Sequence, residues 1–201
     1  MTAELLLAFA AYALVTSITP GPNNTMLLAS GVNFGFARTV PHILGVSLGF
    51  AVMLLAVGLG LGELFRRYPS LHIVLRWAGG AYLLWLAWKI AQSGPAKDDA
   101  RSARPFGFLQ AAGFQWLNPK CWIMATGALT IYLPSDGGLF ELSVITAIYA
   151  LINAPSVCVW AGFGVALRRW LTDPRMTRLF NLGMAALLVG SLYPLFSEAV
   201  R

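Results

Sequence analysis

The sequence predicts an all-α, polytopic membrane protein with six transmembrane helices. Of its 201 residues, 58% are hydrophobic and only 11% are charged, whereas soluble domains carry about 25% charged residues. The apolar residues also fall into six segments of about 20 residues or more, enough to cross a hydrocarbon layer about 30 Å thick. The connections between the segments leave no room for a sizeable soluble domain, so we expect a single transmembrane domain over residues 1–201.

The first three segments form the N-terminal half of the predicted domain, about residues 1–92. They cover about Leu5–Ser30, Thr39–Leu61 and Leu71–Ala91. Polar residues at Gly31–Arg38 and Glu63–Ser70 predict turns between them. In the second segment, Gly45 and Gly49 have the four-residue spacing that allows a neighbouring helix to approach closely.

The last three segments form the C-terminal half, about residues 106–201. They cover about Phe106–Leu133, Phe140–Leu167 and Leu179–Phe196. Residues 93–105, the longest polar stretch, predict a mobile solvated linker between the halves. Three spans in each half place the two halves in opposite orientations, so the sequence predicts two inverted three-helix repeats.

The lysines and arginines predict how the chain lies in the membrane. In a six-span arrangement nine of them lie towards one side of the membrane and four towards the other, and Lys120 lies within the membrane. Because cytoplasmic connections are enriched in Lys and Arg, both termini are expected outside the cytoplasm. The net charge of +6 lies in these short connections, which favours contact with anionic lipids and not with nucleic acid.

Two segments contain stretches that an unbroken helix cannot accommodate. The first segment contains Thr19-Pro20-Gly21-Pro22-Asn23-Asn24, and the fourth contains Asn118-Pro119-Lys120. A proline inside a helix removes an amide donor and costs about 3 kcal/mol, and a lysine at bilayer depth costs about 2.5–3.5 kcal/mol. The sequence therefore predicts that both helices are broken. The alternative is a simple proline kink, with Lys120 extending to a membrane surface.

The nine residues of these two stretches form the predicted substrate-binding site. Each break begins about 14–15 residues into its segment, which places both breaks near the centre of the membrane. The carbonyls of residues 17–19 would attract an ammonium group, and the amides of Asn23 and Asn24 would attract a carboxylate. Asn118 adds a hydrogen-bonding amide, and Lys120 adds a charge that pairs with a carboxylate. This combination suits an amino acid.

The coupling ion is harder to predict, because no Asp or Glu lies deep in any segment. His42, near the start of the second segment, is the candidate coupling residue because histidine titrates near neutral pH. A packed or interfacial histidine is the alternative, and Lys120 or the substrate amine could carry the proton instead. The cysteines and histidines have no metal-ligand spacing, so no metal or cofactor is expected. An enzyme is not predicted either, because the chain lacks paired aspartates and a zinc-binding helix.

Three motifs resemble those of the LysE/RhtB family of amino-acid exporters. They are Ser17–Asn24 with Gly31 and Phe34-Gly35 after it, Trp77–Lys89, and Phe114–Lys120. The short chain and the Thr-Pro-Gly-Pro-Asn-Asn form are most similar to the branch that includes cysteine/O-acetylserine exporters. The resemblance implies export of small amino acids or their derivatives across the bacterial inner membrane, coupled to proton entry.

One alternative function and one assembly state stay open. A lipid-headgroup flippase or a channel can also be built on broken helices, and a flippase should have several basic residues at the breaks, where this chain has only Lys120. An exporter should instead have a small enclosed polar cavity. The glycine-lined helices are compatible with a homodimer.

Overall fold

The computed structural model describes residues 1–68, 70–92, 105–171 and 173–193, apart from the side chains of Phe65, His72 and Arg76. Within these ranges the chain is helical and contains no β-strand. The predicted linker falls outside the described residues up to residue 104, as does the end of the predicted sixth segment. The helices are α1 (Ala3–Ile18), α2 (Pro22–Phe34), α3 (Phe36–Ala56), α4 (Gly62–Arg67), α5 (Ser70–Gln92), α6 (Phe108–Leu117), α7 (Pro119–Tyr132), α8 (Leu139–Arg168) and α9 (Pro174–Gly190).

The first predicted segment is broken between α1 and α2, as the sequence predicted. α1 ends at Ile18, α2 begins at Pro22, and their axes are bent by 55°. Thr19 has extended backbone angles, because a residue that precedes proline disfavours the α conformation. Pro22 occupies the first position of α2, where a missing amide hydrogen costs nothing.

The fourth predicted segment is broken in the same way between α6 and α7. Asn118 is extended, and its side-chain oxygen accepts a hydrogen bond from the backbone amide of Lys120 at 3.1 Å. This bond caps the start of α7, and Pro119 occupies the first helical position. The prediction that the first and fourth segments are broken is therefore confirmed.

Several connections are shorter than the sequence predicted. The turn predicted at Gly31–Arg38 is wrong, because α2 continues to Phe34 and only Gly35, with φ of 79°, separates it from α3. A positive φ is accessible to glycine at little cost, so one residue suffices. The turn predicted at Glu63–Ser70 is also shorter, because α4 covers its first five residues and ends at Arg67. A π-helical turn at Val57–Leu61 precedes α4, and Gly60 within it, with φ of 113°, kinks the helix.

Among the described residues, two helices are long and apolar enough to cross a membrane by themselves. They cover Phe36–Leu64, with 29 residues, and Leu139–Arg168, with 30 residues. The bent pair formed by α1 and α2 adds a third if it crosses as one broken span. These assignments rest on length and composition. The six-span count and the inverted orientation of the two halves stay predictions.

The packing of the helices centres on α8. This helix contacts α1, α2 and α3, while α3 also packs against α6, and α5 packs against α9. A core that includes the buried side chains of Phe9, Phe50 and Tyr149 fills the space between α1, α3, α7 and α8. The first helix break lies beside the second, because Lys120 at the start of α7 bonds to Thr19 at the end of α1.

Glycines set how closely the central helices approach each other. A Cβ atom at Gly45 would lie 2.4 Å from the carbonyl oxygen of Phe108, and one at Gly49 would lie 2.5 Å from Cα of Ala112. The close approach predicted for this pair is therefore confirmed, and the neighbour is α6. On α2, a Cβ atom at Gly31 would lie 2.2 Å from the carbonyl oxygen of Ala161 in α8.

We expect Gly31→Ala to lower the free energy of unfolding by about 1–3 kcal/mol, because α2 and α8 must separate to admit the methyl group. Unfolding in increasing sodium dodecyl sulfate measures this change. Gly183→Ala is the matched control, since no described atom lies within 4 Å of a Cβ built at Gly183 in α9. Equal stability of the two variants would contradict the close packing of α2 on α8.

Candidate functional site

The two helix breaks face a shared cavity of about 20 Å³. Five helices line it, α1, α2, α3, α7 and α8, together with Gly21 before α2 and Asn118 before α7. The lining residues are Thr16, Ser17, Gly21, Asn23, Asn24, Val46, Asn118, Lys120, Cys121, Met124, Asn153 and Val157. Among these lining residues Lys120 alone carries a charge. A volume of this size holds about one water molecule, so an amino acid does not fit into the site in this conformation.

The cavity brings together five of the nine residues predicted for the substrate site. These are Gly21, Asn23, Asn24, Asn118 and Lys120. Thr19 and Pro20 hold Lys120 from outside the lining, and Pro22 and Pro119 begin α2 and α7. The prolines therefore shape the site, while the asparagines and the lysine supply its polar groups.

Lys120 joins the second break to the first. Its Nζ donates hydrogen bonds to the carbonyl oxygen of Thr19 at 2.8 Å, to Oγ1 of Thr19 at 2.9 Å and to the carbonyl oxygen of Pro20 at 3.3 Å. The side chain crosses Gly21, where a Cβ atom would lie 2.8 Å from Cδ of Lys120. An ammonium group has three hydrogens to donate, so all three have acceptors at the first break.

The carbonyl groups at the end of α1 are not free, and that prediction is wrong. The side-chain amide of Asn24 donates to the carbonyl oxygens of Ser17 and Thr19, at 2.8 Å each. The indole nitrogen of Trp160 in α8 donates to the carbonyl oxygen of Ile18 at 3.0 Å. Backbone groups at membrane depth require such partners, and neighbouring helices supply them. An ammonium group does bond to the carbonyl oxygen of Thr19 at this end of α1, but it belongs to Lys120 and not to a substrate.

A pair of side-chain amides connects α2 to α6. Asn23 Nδ2 donates to Gln115 Oε1 at 2.8 Å, and Gln115 Nε2 donates to Asn23 Oδ1 at 3.2 Å. Gln115 is fully buried, and the thiol of Cys121 also donates to its Oε1 at 3.1 Å. The orientation of Asn23 in the cavity is therefore fixed by a residue that sequence reasoning did not place in the site.

α8 contributes polar groups that sequence reasoning also missed. Asn153 Nδ2 donates to Ser17 Oγ at 3.1 Å, and the hydroxyl groups of Tyr149 and Thr16 lie 2.7 Å apart. One signal was available in the sequence, since Asn153 is an amide within an apolar segment, where polar residues mark functional sites. Its neighbours on α1 could not be identified from sequence.

His42 lies outside the cavity. It is only 2% exposed, and its ring centroid is 5.3 Å from that of Phe106. Within the part of the chain that the structure describes, neither ring nitrogen has a hydrogen-bond partner. These surroundings match the packed histidine that the sequence allowed as an alternative, and the coupling role stays a prediction.

An all-helical chain with apolar candidate spans, and with a polar cavity where two helices are interrupted, has the architecture of a membrane transporter. The family model of the LysE type translocator matches residues 14–191, and the chain belongs to this family. It is therefore an amino-acid efflux transporter by family and not an enzyme, as the sequence motifs predicted.

The chain is also similar to named relatives over nearly its whole length. Three of them are the cysteine/O-acetylserine efflux proteins of Escherichia coli (strain K12), Shigella sonnei (strain Ss046) and Shigella flexneri. Each is 37% identical over 191 residues, which cover 94% of this chain and 96% of the relative. No solved structure matches the chain significantly.

Proposed function

We propose that this protein exports small neutral amino acids or their derivatives, such as cysteine and O-acetylserine, across the bacterial inner membrane by proton antiport. The observation that carries the proposal is the shared cavity at the two helix breaks, in which Lys120 is the charged residue among those that line it. A single cation surrounded by amides and hydroxyl groups suits one carboxylate on a small polar molecule. The names of the relatives indicate the substrate class.

In the proposed binding mode the substrate carboxylate pairs with Lys120 near the N-terminus of α2. Gly21 precedes this helix and forms no side-chain cap, so no capping side chain competes for the first amides of α2. Because the three ammonium hydrogens contact Thr19 and Pro20, the carboxylate must replace at least one of these acceptors. The contact with the carbonyl oxygen of Pro20, at 3.3 Å, is the longest of the three.

This replacement couples binding to a change of conformation. In this conformation Lys120 holds the second break against the first, and the cavity has room for about one water molecule. A carboxylate that draws Lys120 away from Thr19 removes this connection and lets the breaks separate. In the proposed architecture of six spans and two inverted repeats, with both termini in the periplasm, rocking of one repeat against the other then opens the site to alternate sides.

Uptake into inverted membrane vesicles tests the proposal. Their interior corresponds to the periplasm, so export appears as uptake of labelled L-cysteine or O-acetyl-L-serine. We expect an imposed acid-inside pH gradient to stimulate uptake and an uncoupler to abolish the stimulation, relative to vesicles that lack the protein. Uptake without any dependence on the gradient would contradict proton antiport, and no uptake of either compound would contradict the proposed substrates.

His42 is the proposed coupling residue within this scheme, because histidine is the side chain type that gains and loses a proton near neutral pH in water. The His42 ring is buried in this conformation, so the scheme requires water to reach it during the transport cycle. We expect His42→Gln to reduce gradient-driven uptake to the rate seen without a gradient. Counterflow exchange of labelled for unlabelled substrate, which needs no gradient, should continue. Gradient dependence equal to that of the wild-type protein would assign coupling to another group, such as Lys120 or the substrate amine.

A further inference from the structure

The side-chain oxygen of Asn153 in α8 is unusual among the polar atoms of the cavity. Asn153 is only 4% exposed and lines the cavity. Its Nδ2 is held by Ser17 Oγ at 3.1 Å, whereas its Oδ1 is buried and has no hydrogen-bond partner within the described residues. A buried acceptor without a donor is costly and calls for a partner.

Several other acceptors at the cavity already have donors. The carbonyl oxygens of Ser17 and Thr19 accept from Asn24, and the latter also accepts from Lys120. Oδ1 of Asn118 accepts from the backbone amide of Lys120. Among the lining side chains that the structure describes, Asn153 Oδ1 is the one fully buried oxygen that lacks a donor. The lining contains no carboxylate, so this amide oxygen is the natural site for a second donor group.

We propose that Asn153 Oδ1 accepts a hydrogen bond from the α-ammonium group of the substrate and thereby makes an ammonium group a requirement for binding. This inference rests on the proposed function. Lys120 on α7 holds the carboxylate and Asn153 on α8 holds the ammonium, so the two ends of an amino acid lie on different helices. In this structure Nδ2 donates to Ser17 Oγ, so the oxygen and not the nitrogen of the amide is left for the substrate.

The test compares three probes with the purified wild-type protein and its variants in lipid nanodiscs under reducing conditions, by calorimetry. The probes are L-cysteine, 3-mercaptopropionate, which lacks the ammonium, and cysteamine, which lacks the carboxylate. We expect the wild-type protein to bind cysteine about tenfold or more tightly than 3-mercaptopropionate. Asn153→Leu should bind the two equally, yet still prefer cysteine over cysteamine because Lys120 is intact.

Two further variants keep the result interpretable. Ser156→Ala changes another buried polar residue of α8, one that bonds only to its own helix and does not line the cavity, and it should keep both preferences. Asn153→Asp puts a carboxylate oxygen in place of the amide oxygen, so it should prefer cysteine over 3-mercaptopropionate more strongly than the wild-type protein does. This variant decides the question if size-exclusion chromatography shows that Asn153→Leu does not fold.

Each remaining outcome overturns a defined part of the account. A tenfold preference for cysteine that persists in Asn153→Leu, or does not increase in a folded Asn153→Asp, overturns the role of Asn153 while the proposed function stands. Equal affinity of the wild-type protein for cysteine and 3-mercaptopropionate overturns it as well. A wild-type protein that binds none of the three probes overturns the proposed substrate class, and the inference with it.

Discussion

Lys120→Met is expected to reduce transport by about 100-fold or more while the protein still inserts and folds. Methionine is similar in length but cannot pair with a carboxylate. Hydrogen bonds to charged groups contribute about 1.5–3 kcal/mol each, and the loss of two of them corresponds to about 100-fold. In the empty site the variant also loses the contacts to Thr19 and Pro20, but Asn24 still satisfies the Thr19 carbonyl.

Vesicle uptake per folded molecule measures this effect, with the folded amount taken from size-exclusion chromatography. Lys89→Met is the matched control, since the Lys89 ammonium lies 4.5 Å from the ring centroid of Trp85 on an exposed part of α5. This control should transport like the wild-type protein. A Lys120→Met variant that transports normally per folded molecule, with only its yield reduced, would contradict the role of Lys120 in binding.

Asn23→Leu is expected to abolish measurable export for two separable reasons. The substitution removes an amide from the cavity, and it leaves the fully buried Gln115 without its partner on α2. Hydrogen bonds between membrane helices contribute about 0.6 kcal/mol on average, with a maximum of about 1.7 kcal/mol. A loss of stability in this range should therefore accompany the loss of export.

The double variant Asn23→Leu/Gln115→Leu separates the two reasons. Replacing both partners by apolar groups removes the unpaired amide, so we expect stability to return toward that of the wild-type protein. Export should stay lost, because the cavity still lacks the Asn23 amide. Export that returns together with stability would mean that Asn23 only supports the packing of α2 on α6.

The helix breaks could be predicted because their causes are local. Proline excludes the α conformation at Thr19 and begins the next helix at Pro22, and these effects need no knowledge of the rest of the fold. The same holds for Asn118, which caps α7 one residue before Pro119. The place of Lys120 in a shared site could be predicted from its depth in the membrane, because both breaks fall near the middle of their segments.

The partners of these groups could not be predicted, because they come from distant parts of the chain. Trp160 and Asn153 lie on α8, and Gln115 lies on α6, yet all three bond to residues near the first break. Sequence reasoning therefore left the α1 carbonyls free for a substrate ammonium, whereas Asn24, Trp160 and Lys120 occupy them. The sequence also predicted too early an end for the first segment, because α2 continues past Ser30 to Phe34 through Gly31 and Asn33, which interrupt the apolar pattern.

The central claim is that the polar groups of the two breaks hold the substrate, with its carboxylate on Lys120. Solid-state NMR tests it most directly, through the dipolar coupling between the labelled Nζ of lysine and the labelled carboxylate carbon of bound O-acetyl-L-serine. Lys89→Arg together with Lys97→Arg leaves Lys120 as the only lysine. We predict a coupling that corresponds to a distance of about 4 Å. Substrate that is bound but shows no coupling to Lys120 would contradict the account.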